Sequence, residues 1–67
     1  MKQLIIEALV ISRNPRVIGG LIEAYVAHSS GDMSQVKQVL RDTVVSQDYK
    51  RIGGAELAKL IEIIKYI

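Results

Sequence analysis

The stretch Asn14-Pro15-Arg16-Val17-Ile18-Gly19-Gly20 returns thirty-four positions later as Asp48-Tyr49-Lys50-Arg51-Ile52-Gly53-Gly54. The correspondence extends outside the block. Val10, Ser12 and Ala24 recur as Val44, Ser46 and Ala58, and Ile11/Val45, Asn14/Asp48 and Arg16/Lys50 are conservative pairs in the same register. A period in the thirties is the length of one helix-turn-helix unit. The repeat therefore predicts an all-α chain: four short helices arranged as two tandem αα-hairpins, packed as a compact helical bundle. The expected helices cover residues 3–12, 15–29, 33–45 and 49–67, within a single domain spanning 1–67.

Local chemistry supports those boundaries. Asn14 is a favoured N-cap, and Pro15 suits the first helical position, where its missing N–H costs nothing. Gly31 suits the left-handed residue after a helix. Asp32 followed by Gln35 has the form of a capping box, and Asp48 is the expected N-cap of the last helix. Helix two carries Val17, Leu21, Ala24 and His28 on one stripe, with Ile18, Ile22 and Tyr25 beside it. Gly19-Gly20 inside that helix is read as room for a neighbouring helix. Helix three has the apolar stripe Val36, Val39, Leu40, Thr43 and Val44, with Lys37, Gln38, Arg41 and Asp42 on its polar face. Helix four is expected to bury Leu57, Leu60, Ile61, Ile64 and Ile67, leaving Glu56, Lys59, Glu62 and Lys65 as a solvated face. The two halves do not bury the same phase, so the repeat is degenerate.

Helix one is apolar nearly all round, interrupted by Glu7, and such a helix must be covered on every side. Three other short helices are too few to do that. A 67-residue chain without Cys and with one His also has no disulfide or metal staple. Self-association as a homodimer or higher oligomer follows. Its expected contacts are Ile6 and Val10 on helix one, with Ile63, which falls off the helix-four stripe. Hydrophobic residues make up 49% of the chain, and with no Phe or Trp the core must be aliphatic. No apolar run reaches the ~18 residues of a membrane span, and no signal peptide is recognised at Met1-Lys2-Gln3. A cytoplasmic setting without a membrane partner is the expectation.

The Asn-Pro-x-Val turn between an apolar helix and a second helix resembles that of HEAT-type repeats. The likeness covers residues 4–25 and, without the proline, 38–59. It implies stacked hairpins that serve as a scaffold for protein or nucleic-acid partners. Two repeats without polar capping helices fall short of a free-standing solenoid.

Catalysis needs converging groups, and the pattern offers few. His28 is alone, the serines sit at helix ends, and the carboxylates are scattered. No Cys/His cluster fits zinc, and neither Gly-Gly pair has the lysine and hydroxyl of a phosphate-cradling loop. A non-catalytic chain without cofactor or metal is expected. Stacked hairpins would bring Arg13 and Arg16 near Lys50 and Arg51 at two helix N-termini, a setting attractive to phosphate. The net charge is +2. Two readings follow: an interaction module that self-associates and docks on another protein, or a nucleic-acid-binding protein that uses this basic edge.

Overall fold

Four helices account for all the regular structure in the computed structural model, which describes residues 1–46 and 52–66. They are α1 (Lys2–Ile11), α2 (Pro15–Ser29), α3 (Met33–Ser46) and α4 (Gly54–Tyr66), and no strand forms among the described residues. The expectation of an all-α fold holds.

The turns between them are built by the residues the sequence singled out. Asn14 adopts an extended conformation, and its Oδ1 accepts the Arg16 N–H at 3.0 Å, with Pro15 as the first helical residue. At the other end of α2, Gly31 takes φ 78°. The Gly31 N–H reaches His28 O and the Asp32 N–H reaches Ala27 O, each at 3.0 Å. This is a Schellman closure, which needs the left-handed glycine. Asp32 then caps α3 by accepting the Gln35 N–H at 3.0 Å. The second arm of the expected capping box does not form, because the Asp32 N–H is already used to close α2.

Each helix packs chiefly on two others, α1 on α2 and α4, and α3 on α2 and α4. The core comprises Ile5 and Ala8 from α1; Val17, Leu21, Ala24 and Ala27 from α2; Val36, Val39 and Leu40 from α3; and Leu60 and Ile63 from α4, joined by Ile52. The radius of gyration is 10.4 Å, close to the ~11 Å of a folded chain this long. The most extensive pairing is α2 with α3, which straddles the boundary between the two expected hairpins. Gly20 makes it close. A Cβ there would fall onto the Thr43 hydroxyl and lie 3.1 Å from Thr43 Cβ. The same construction at Gly19 meets nothing within 4 Å. One glycine of the pair thus serves the helix approach and its neighbour does not.

Helix four differs from expectation in start and in phase. Ile52 and Gly53 precede it, and the Leu57 N–H bonds Gly53 O at 2.9 Å, so the glycine pair opens the helix. Its sequence counterpart, Gly19-Gly20, lies inside α2. The expected cap Asp48 lies outside the described residues. Glu56, Leu60 and Ile63 are buried while Ile61 is exposed. At 100° per residue this is a rotation of about 70° from the expected stripe. The glutamate expected on the solvated face is inside.

Filling the α2–α3 contact should be costly. Gly20→Ala is expected to lower stability by about 1–3 kcal/mol, the usual cost of overpacking, measured by urea unfolding. Adding Thr43→Ala should recover part of the loss.

Candidate functional site

In α1, Ile5 and Ala8 face the core. Ile6 and Val10, one turn apart, fall on the other side of the helix and are 37% and 79% exposed. The described residues leave Val10 largely, and Ile6 partly, uncovered. On α2, Ile22 and Val26, again one turn apart, are 51% and 60% exposed. The Lys2 ammonium sits 5.5 Å from the centre of the Tyr25 ring, placing the start of α1 beside the later half of α2. The chain reverses between these helices. Ile6 is therefore one turn on from Lys2, and Ile22 about one turn back from Tyr25, at one level of the hairpin.

Ile63 requires a correction. Expected off the stripe and available to a second subunit, it is fully buried within its own chain. The rotation of α4 moves it from the surface to the core.

At the expected basic edge, Arg13 and Arg16 are exposed at the α1–α2 turn, while Lys50 and Arg51 lie outside the described residues. Two backbone donors that an anion would use there are already engaged. The Arg16 N–H is held by Asn14, and the Arg13 N–H donates to Glu56 Oε1 at 3.0 Å. A buried carboxylate therefore stands directly behind the turn.

Sequence reasoning missed Glu56. It is 8% exposed, and its Oε2 is buried without a hydrogen-bond partner among the described residues. Three residues after the Gly53 cap, its charge lies in the first turn of α4, where the helix dipole favours an anion. That position after a glycine pair is the one signal in the sequence. Its actual partner is a main-chain N–H forty-three residues away, which periodicity does not report. One turn further along α4, Lys59 Nζ reaches Glu7 Oε2 at 3.3 Å and Glu62 Oε2 at 3.7 Å. The hydrogen bond to Glu7, and then the charge of Glu62, hold the Lys59 pKa above its ordinary value. Among the described residues, no group of three or more His, Cys, Asp or Glu is placed to hold a metal ion. No helix among them is long and apolar enough to cross a membrane.

Comparison with family models, curated proteins and solved structures finds no match to this chain.

Two outcomes follow from the α4 contacts. Glu56→Ala removes the acceptor for the Arg13 N–H and should cost about 1–3 kcal/mol, the penalty of an orphaned buried donor. Hydrogen exchange at the Arg13 amide should quicken in that variant and stay slow in Glu56→Gln, which keeps an acceptor. For Lys59 the folded pKa is the raised one, so its stabilisation is fully present below the ordinary lysine value and is lost as pH rises through the raised one. The difference in urea midpoint between wild type and Lys59→Gln should therefore persist at neutral pH and close in strong alkali.

Proposed function

We propose that this chain is a small, non-catalytic helical interaction module that self-associates and docks on a protein partner. The observation that carries the reading is the pair Ile6 and Val10. A helix that already supplies Ile5 and Ala8 to the core leaves two further aliphatic side chains uncovered on its other side. Ile22 and Val26 are two further exposed aliphatic side chains, on α2. Exposed aliphatic surface of this extent on a small domain supports an interaction role. A two-fold contact between copies would bury the same residues on both sides.

Light scattering across a concentration series tests the reading. A dimer or larger species is expected, weakened by Ile6→Lys or Val10→Lys and little changed by Lys65→Glu on exposed α4. Association should be tight and insensitive to salt. A monomer at high concentration would overturn the self-association. The rival reading, a nucleic-acid partner at Arg13, Arg16, Lys50 and Arg51, predicts duplex binding that collapses between low and moderate salt. Arg16→Glu combined with Lys50→Glu should abolish that binding if it occurs.

A further inference from the structure

Between α2 and α3 on the outer surface run two adjoining hollows of about 450 and 400 Å³, which share Glu23, Gln35 and Val39 as lining. Ile22, Val26, Ala27 and Val39 supply an apolar stretch toward the Gly31 end. Toward the other end the lining passes to Gly19, Gly20, Arg16 and Asp42. Three carboxylates, Glu23, Asp32 and Asp42, line this groove against one cation, Arg16. The chain as a whole carries the opposite balance, +2. Of the cations of α3, Lys37 falls roughly opposite Gln35 around that helix, while Arg41 stands about a quarter-turn from Asp42. Glu23 makes no hydrogen bond or ion pair among the described residues. Asp32 and Asp42 each have one oxygen engaged, by the Gln35 N–H and the Gln38 amide respectively.

Gly19 is the second, independent observation. A glycine inside a helix is destabilising relative to alanine, and none of the described residues requires its missing side chain, because a Cβ there would meet nothing within 4 Å among them. The fold explains Gly20 through Thr43 and leaves Gly19 unexplained. A bare backbone on an exposed groove lets another backbone come close.

We infer that the α2–α3 groove is a docking site for a cationic amphipathic helix of a protein partner. Its aliphatic side chains would lie over Ile22, Val26 and Val39. Its lysines or arginines would meet Glu23 and the free oxygens of Asp32 and Asp42, and its backbone would approach at Gly19. Helix-in-groove recognition uses this division between an apolar floor and charged edges. The inference rests on the reading of the chain as an interaction module and concerns its partner, not its self-association.

The test is fluorescence anisotropy of the full chain with two labelled helix-forming peptides. One has leucines at i, i+3, i+4 and i+7 and lysines elsewhere, and the other has glutamates in place of the lysines. The cationic peptide should bind and the anionic one should not. Glu23→Lys should weaken binding by about tenfold or more, since like charges then face each other. Gly19→Leu should abolish binding while keeping or raising the thermal midpoint, because the fold has room for the side chain and gains helix propensity. Equal binding of both peptides, or none by the wild type, would overturn the inference. So would loss of binding on Ile6→Lys with none on Gly19→Leu, which would place the peptide on α1. Dissociation of the oligomer by Gly19→Leu would also overturn it, by showing a second copy in the groove. A monomeric wild type that binds the cationic peptide through Gly19 and Glu23 would sink the self-association reading and leave this one standing.

Discussion

The hydrogen bond from the Arg13 N–H to the Glu56 carboxylate sets the rotation of α4, and much of the molecule follows from that rotation. With Glu56 turned inward, Leu60 and Ile63, four and seven residues on, turn inward with it. Ile61 is correspondingly left on the surface. The bond to the α1–α2 turn and the Lys59–Glu7 pair then tie α4 to the α1 side at two levels, with α4 advancing as α1 recedes. A buried carboxylate oxygen without a partner is expensive. Its placement in the first turn of a helix offsets part of that cost, because the backbone dipole there favours negative charge.

The features legible in the sequence were those whose chemistry is complete within a few residues. Asn14-Pro15 starts a helix because the cap and the restricted φ act on adjacent residues. Gly31 ends one because only glycine takes a positive φ cheaply. Asp32 caps the next because its acceptor lies three residues from its donor. The phase of α4 had no such local cause. An apolar-stripe reading assigns Glu56 to solvent by default, and the N–H that draws it inward belongs to a residue no pattern connects to it. Ile63 was misplaced for the same reason, so one of the expected association residues was lost with it. The exposure of Ile6 and Val10 was legible because three other short helices are too few to surround α1.

The glycine pairs show how a repeated motif can serve two structural roles. Gly20 lies against Thr43 and lets α2 and α3 approach. Gly54, its counterpart thirty-four residues later, is the first residue of a helix. Ile18 lies within α2, whereas Ile52 joins the core from the segment ahead of α4. The same residue pair is interior to one helix and opens the other. Helix propensity is weak beside packing, at roughly 1 kcal/mol even for glycine, so α2 can carry its pair through the interior once α3 covers one side.

The two uncovered surfaces differ in kind. On α1, Ile6 and Val10 are aliphatic, and the nearby ammonium of Lys2 is drawn over the Tyr25 ring. The α2–α3 groove joins aliphatic walls to carboxylates, with Glu23 unpaired among the described residues. Burial of aliphatic surface is indifferent to moderate salt, whereas attraction to exposed carboxylates is screened over about 8 Å at physiological ionic strength. Contacts made by the α1 face are therefore governed mainly by the concentration of chains, and those made by the groove also by ionic strength. Ile22 and Val26 line the groove and also belong to the aliphatic surface proposed for self-association. A partner seated in the groove would cover aliphatic side chains that the proposed oligomer contact would also use. Occupancy of the two proposed sites would then be coupled through these shared residues, since any surface they give to one association is withdrawn from the other.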